Sequence, residues 1–130
     1  MEGPPRYNST LGDFRVRAEG PGRARCRIFP DVLQTNLAGA LHGGAILNFI
    51  DISLFAGGSL AGADVAMAVT LDCQAQFIAP GQPGMPLDAE VELLKETRRL
   101  AFLRGKVVQQ PAWQETMVIA AFSGTLRKAS

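Results

Sequence analysis

The stretch Ala45-Ile-Leu-Asn-Phe-Ile-Asp-Ile-Ser-Leu-Phe-Ala56 decides how the rest of this chain is read. Twelve residues closed by Gly57-Gly58 favour a helix over a strand, and the glycines are expected to end it. Apolar side chains fall on nearly every side of the run, which predicts a helix buried all round and wrapped by other elements. Those elements alternate with period two. Upstream, Phe14, Val16 and Ala18 alternate with Arg15, Arg17 and Glu19. After Gly20-Pro21-Gly22, Ala24, Cys26 and Ile28 alternate with Arg23, Arg25 and Arg27, so the two segments read as a hairpin. Downstream, Met67, Val69, Leu71, Cys73, Ala75 and Phe77 alternate with a face holding Thr70, Asp72, Gln74 and Gln76. Leu87, Ala89, Val91 and Leu93 then alternate with Asp88, Glu90 and Glu92. A break near Arg98-Arg99 leads into Leu100 to Gln109, and Gln110-Pro111-Ala112 leads into Trp113 to Thr125. Two strands, one long buried helix and four more strands describe an α+β domain, an antiparallel sheet packed on the helix.

The 130 residues suit one domain, read here as a loose lead-in over residues 1–10 and a single domain over residues 11–130. An apolar fraction of 47% supplies a generous core. A formal net charge of +1 gives no global field to attract nucleic acid or an anionic membrane, so an anionic ligand must be met by local charge. Cys26 and Cys73 stand far apart in strand segments behind an N-terminus with no apolar signal core, so reduced cysteines in a cytoplasmic protein are expected. No paired-Cys or paired-His spacing suggests a metal, and there is a single histidine; no cofactor is expected. The apolar stretch from Ala45 to Leu71 contains Asp51 and Asp64, and its charge-free runs fall short of the roughly 18 residues of a membrane span.

The chemistry concentrates in Asn36-(x5)-His42-Gly43-Gly44-(x6)-Asp51, which runs from a loop into the helix. The first N–H groups of a helix have no internal partner and point outward with the positive end of its dipole. Gly43 and Gly44 stand there without side chains, which suits an oxyanion hole for acyl transfer. Equally, two glycines permit a tight turn from loop to helix, and the spacing alone leaves both readings open. Asp51 sits in an otherwise apolar helix, where an unpaired carboxylate is costly. It is therefore either functional or held by a structural hydrogen bond, for instance from Asn48. Gly43 and Asp51, eight residues apart, are separated by about 12 Å along one helix. They cannot both reach one carbonyl group and its attacking water. If both act, Gly43 of one subunit meets Asp51 of another, which implies a dimer with two composite sites. His42 is a weaker candidate for a base, and its ring is expected instead to order the loop by hydrogen bonding.

The run from Asn36 to Asp51 resembles the signature of hotdog-fold thioesterases of the phenylacetate-pathway, PaaI-like kind. The likeness continues through Val69-Thr-Leu-Asp-Cys-Gln-Ala-Gln-Phe77-Ile-Ala-Pro80 and Leu94-Lys-Glu-Thr-Arg-Arg-Leu-Ala-Phe102, and spans roughly residues 11–126. The resemblance implies a six-stranded antiparallel sheet wrapped around one long helix, and an enzyme acting on acyl groups carried by coenzyme A without a metal. It implies that the Gly43 N–H polarises the thioester carbonyl, that Asn36 helps to orient it, and that Asp51 of the partner subunit is the general base or the nucleophile. Thr70 takes the family position of a hydroxyl residue that helps to hold the water; only the resemblance singles it out. Subunits of the family pair through sheet edges into dimers, commonly doubled to tetramers. Two departures stand out: Thr97 occupies a hairpin position where the family often has glycine, and the N-terminal lead-in is short.

The substrate-binding set adds Gly44, Phe77 and the hairpin-tip pair Arg98 and Arg99, which suit the phosphates of coenzyme A or, equally, are solvated charges. Phe49, Leu54, Phe55 and Phe77 suit a pocket for an aromatic or medium-chain acyl group, or plain core. The hotdog strand order places Arg23, Arg25 and Arg27 beside Asp88, Glu90 and Glu92, so cross-strand ion pairs are expected there. Two rival functions are a hotdog dehydratase of hydroxyacyl thioesters and a non-catalytic acyl-CoA-binding protein. The His-Gly-Gly run before Asp51 argues against the first, and a buried anion, which adds nothing to apolar acyl binding, against the second.

Overall fold

The computed structural model describes residues 11–129; the expected lead-in over residues 1–10 lies outside them. The elements are β1 (Phe14–Ala18), β2 (Arg23–Ile28), α1 (Gly43–Leu60), β3 (Val69–Phe77), β4 (Leu87–Glu96), β5 (Leu100–Gln109) and β6 (Met117–Arg127). The six strands form one antiparallel sheet in the order β1-β2-β4-β5-β6-β3, so β1 and β3 are its edges. This is the hotdog fold. The first hairpin turns through Gly20 and Gly22, whose φ values of 111° and 70° suit residues without a Cβ.

The helix α1 does not stop at Gly57-Gly58 but continues to Leu60, correcting the expected boundary. Both glycines are buried, and each marks a close approach to the sheet. A Cβ on Gly57 would lie 2.8 Å from a methyl of Val91 in β4, and one on Gly58 would lie 3.0 Å from a methyl of Leu103 in β5. Across the same interface a Cβ on Gly124 of β6 would lie 2.3 Å from a methyl of Leu54. The helix stops at Gly62, one residue past its C-cap, where φ is 110°.

The side of α1 that faces the sheet carries Ile46, Phe49, Ile50, Ser53 and Leu54 as well as the two glycines. Phe49, Ile50 and Leu54 are fully buried with Leu103, Ile119 and Leu126 of the sheet. Each large side chain buried there contributes on the order of 2 kcal/mol. The opposite side is open, contrary to the expectation of burial all round. Leu47 and Leu60 are exposed, and Asp51, Ile52 and Phe55 are half-buried. By length and composition α1 would pass for a membrane span, yet one side of it is packed into this core.

The strand β6 begins at Met117 rather than Trp113, because residues 112–114 form a turn in which Trp113 takes φ 63°. The β4–β5 turn is closed by Thr97: its N–H donates to the carbonyl of Leu100 at 2.7 Å, and its Oγ1 accepts from the Leu100 N–H at 3.0 Å. A hydroxyl does there what a backbone turn at glycine does elsewhere.

The expected cross-strand ion pairs are present: Arg23 with Glu92, Arg25 with Glu90 and Arg27 with Asp88. Asp88 binds both Arg25 and Arg27, and its side chain is only 7% exposed. Burial alone would raise its carboxyl, but hydrogen bonds from Arg27 and Arg25 outweigh it and hold the group below the usual carboxylate range. A carboxyl depressed in the folded state stabilises the fold above its unfolded pKa of about 3.9, and that stability is lost as pH falls through the lower folded value. Asp88→Asn is expected to cost about 2 kcal/mol at neutral pH, below the range for fully buried pairs because Arg27 is 44% exposed. Thermal melts from pH 7 down to pH 2 should show the gap between wild type and variant closing below about pH 4.

Candidate active site

The two halves of the expected constellation form at different ends of β3. At one end Asp51 projects from the open side of α1, and the Thr70 hydroxyl donates to its Oδ1 at 2.8 Å. No cation pairs with Asp51 among the described residues. That contact depends on an irregularity the alternation did not reveal. Thr70 pairs with Leu126 and Asp72 with Thr125, so Leu71 is an extra residue in the strand. The bulge turns Thr70 toward the helix, onto the face of Cys73, Ala75 and Phe77 rather than that of Gln74 and Gln76. Cys73 packs beside the core at this end. Burial first, and then the negative charges of Asp51 and Asp72, push its thiol up, which keeps it protonated and a poor nucleophile. Cys26 is buried, its thiol pushed up to about 11 chiefly by desolvation, and both cysteines are free.

At the other end lies the start of α1. His42 is its N-cap, with Nδ1 accepting from the Gly44 N–H at 2.8 Å. The ring thus orders the loop as expected, and the two glycines have different reasons to be glycine. A Cβ on Gly44 would stand 2.9 Å from that ring nitrogen, whereas one on Gly43 would meet only the Phe77 ring at 3.6 Å. The Gly44 N–H is therefore taken by the cap, and the Gly43 N–H is the one without a partner among the described residues. Asn36 braces the preceding loop: its Oδ1 accepts from the N–H groups of Ala38 and Ala40 at 2.9 and 3.2 Å. Asn36, Gly43 and Phe77 share a shallow cleft of about 340 Å³, walled by Leu41, Ile46, Ile78 and Pro80. Larger hollows, of about 640 and 500 Å³, lie among the ion pairs of the sheet, away from Asp51 and Gly43.

Arg98 and Arg99 belong to neither half. They are exposed at the β4–β5 turn, where Arg99 shares a cleft with Met67, Val69 and Arg127 beyond the Thr70 end of β3. Arg127 was not singled out by sequence; its signal is a contrast in pairing. Among the described residues Arg15, Arg17, Arg23, Arg25, Arg27 and Arg104 are in ion pairs, whereas Arg98, Arg99 and Arg127 are in none. No cluster of three His, Cys, Asp or Glu side chains that could hold a metal occurs among the described residues. The His42 cap is testable apart from any reaction: His42→Ala should cost about 1 kcal/mol, read as a lowered urea midpoint with an unchanged slope.

The sequence profile of the thioesterase superfamily matches residues 38–112, more than half of the chain. No curated protein matches it significantly. Among solved structures it is similar to a mutant of the phenylacetic acid degradation protein PaaI from Thermus thermophilus. The two are 28% identical, with a TM-score of 0.74 over 95% of this chain and 98% of the other. It is also similar to the PaaI protein of the E. coli phenylacetic acid degradation operon, at 20% identity and TM-score 0.78 over 94% of this chain and 83% of the other. The smu.793 protein of Streptococcus mutans UA159, bound to acetyl CoA, shares 20% identity with a TM-score of 0.75, over 90% of this chain and 89% of the other. With its hotdog fold and the matched segment running from the loop before His42 through β5, the chain belongs to the thioesterase superfamily and is a thioester hydrolase.

Proposed function

We propose that the protein hydrolyses the thioester of a small aromatic or medium-chain acyl-CoA, in sites completed only when two copies pair. One observation carries this reading: a carboxylate with its hydroxyl partner and an unpartnered helix-start N–H stand at opposite ends of one exposed edge strand. Neither half is a site alone. Val69, Leu71 and Phe77 of that edge are each at least half exposed, and beside it α1 leaves Leu47 uncovered. A second β3 laid antiparallel against the first would bury these side chains and pair the free backbone edge.

The bulge suggests the register. With Leu71 skipped, Gln74 stands three ladder positions from Thr70 on one side and three from Phe77 on the other. A two-fold axis at Gln74 therefore sets Thr70, with its Asp51, opposite the partner's Phe77, which lies against Gly43. Opposed residues then share a face, as an antiparallel ladder requires.

In such a site the Gly43 N–H donates to the thioester carbonyl oxygen and stabilises the charge it gains. Asp51, steadied through Oδ1 by Thr70, acts on the carbonyl carbon as base or nucleophile. As base it takes a proton from water, and the resulting hydroxide adds to the carbon. Collapse of the tetrahedral intermediate breaks the C–S bond, and the departing thiolate takes up the proton. The apolar cleft beside Gly43 suits the acyl group. The free guanidinium groups of Arg98, Arg99 and Arg127 suit the phosphates of the carrier. The acetyl CoA held by the Streptococcus mutans relative supports that choice of carrier.

Thiol release from acetyl-, hexanoyl-, decanoyl-, benzoyl- and phenylacetyl-CoA tests the reading. Asp51→Asn should lower kcat at least about a hundredfold, and Gly43→Pro comparably. When the two variants are mixed after co-expression, half of the dimers are mixed and each holds one intact site. Activity should then recover to roughly a quarter of wild type. Two inactive variants that stay inactive together would sink the composite site. The register has its own test: Gln74→Cys in a Cys73→Ser background should yield a covalent dimer on mild oxidation, since residues opposed across an axis lie within disulfide reach. A chain that remains monomeric on a non-reducing gel would refute that axis.

A further inference from the structure

One buried polar side chain far along the sheet has no part in the chemistry above. Gln109 ends β5 and is 2% exposed. Its carboxamide makes a reciprocal pair with one backbone unit. Oε1 accepts from the Gln82 N–H at 2.9 Å, and Nε2 donates to the Gln82 carbonyl at 2.8 Å. Burying an amide this deeply is costly unless every polar atom is matched, so the pair is held firmly. The neighbouring carbonyl, that of Gly81, accepts from the Leu41 N–H at 2.9 Å. Gly81 has no room for a side chain: a Cβ would lie 2.8 Å from a methyl of Leu41. Leu41 is itself buried and lies two residues before Gly43. The next N–H, from His42, donates to the Gln34 carbonyl at 2.6 Å, and Thr35 bridges Leu41.

The chain of contacts thus runs from Gln109 through residues 81–82 to the loop that delivers Gly43. Its wall is pinned elsewhere as well: Ile78 and Ala79 donate to the Ile119 carbonyl, and Gly84 donates to that of Pro30. Between those anchors Gln109 is the only described side chain that fixes the segment facing Leu41 by hydrogen bonds. Ala79, Pro80 and Gly81 line the same cleft as Gly43, so this segment sets both the width of the cleft and the direction of the donor.

We infer that Gln109 is a positioning residue for the reaction, holding the 79–82 wall against Leu41 so that the Gly43 N–H is aimed into the cleft. The inference rests on the proposed role of Gly43 as the carbonyl donor. An oxyanion donor must be in place before charge develops, and small displacements of such groups cost rate rather than binding. The carrier, expected to bind outside this wall, is not touched.

Kinetics and amide NMR of Gln109→Leu and Gly81→Ala test it. Gln109→Leu keeps much of the bulk and removes both hydrogen bonds; Gly81→Ala leaves Gln109 in place and presses a methyl on Leu41. For each, kcat should fall roughly tenfold to a hundredfold while KM stays within about twofold. The amide resonances of Leu41 and Gly43 should move, and those of Asp51 and Thr70 should stay. Gln109→Glu, which keeps the acceptor for Gln82 N–H but loses the donor, should fall between wild type and Leu. Wild-type kcat in either folded variant, an unmoved Gly43 resonance, or a rise in KM alone would overturn the inference. If Gln109→Leu does not fold, Gly81→Ala reads the same wall. Failure of the Gly43 role itself is separable, because it would appear as full activity in Gly43→Pro while the Leu41 and Gly43 resonances still move in Gln109→Leu and Gly81→Ala.

Discussion

The distance between α1 and the sheet is the constraint on which the rest depends. Helices usually stand off a sheet by the bulk of their side chains; here Gly57, Gly58 and Gly124 remove that bulk at three contact points. Val91, Leu103 and Leu54 fill the space that Cβ atoms would need. The helix therefore lies close along the sheet, and its open side stays level with the edge strand β3. Asp51 reaches Thr70, and Gly43 reaches Phe77, because the axis is held this near. A larger residue at any of the three points would lift the helix and part both pairs together.

The order of elements and the alternation of six strands were legible in the sequence because they follow from one-dimensional periodicity. What was not legible depends on a second element. Gly57-Gly58 reads as a stop in isolation, and only Val91 and Leu103 across the interface explain why the helix runs on. Apolar residues all round α1 suggested full burial; a single chain covers one side, and Leu47 and Leu60 remain outside. Strict alternation put Thr70 on the face away from Cys73, and the extra residue in β3 reversed it. The start of β6 moved for a local reason, the left-handed turn at Trp113.

The site was legible in part. The residue types at Asn36, His42, Gly43, Gly44 and Asp51 mark a helix start and a carboxylate, but not the division of labour among them. Only the folded chain shows that the ring of His42 consumes the Gly44 donor and that Asn36 spends its oxygen on the loop. Gln109 and Arg127 carry no motif. The first is distinguished by burial with a matched amide, the second by lacking the ion pairs that occupy the other sheet arginines. Charge follows the same logic: Arg25 and Arg27 are consumed by Asp88, so among the described residues the guanidinium groups left for an anion lie at the hairpin tip and the end of β6.

The bulge at Leu71 makes β3 a strand in two phases. Before it, odd and even positions have one assignment to helix side and outer side; after it, the assignment is exchanged. Descent with substitutions alone preserves that phase, whatever residues are swapped. Loss of Leu71 would preserve it too, since Thr70 and Cys73 would then lie two positions apart on a regular strand, whereas taking Leu71 into the ladder would rotate Thr70 to the far side of the sheet while leaving every residue of the site in place by name. In this fold a change of length at β3 therefore matters to the site only where it alters the ladder phase between Thr70 and Cys73, and not where it merely removes the bulged residue.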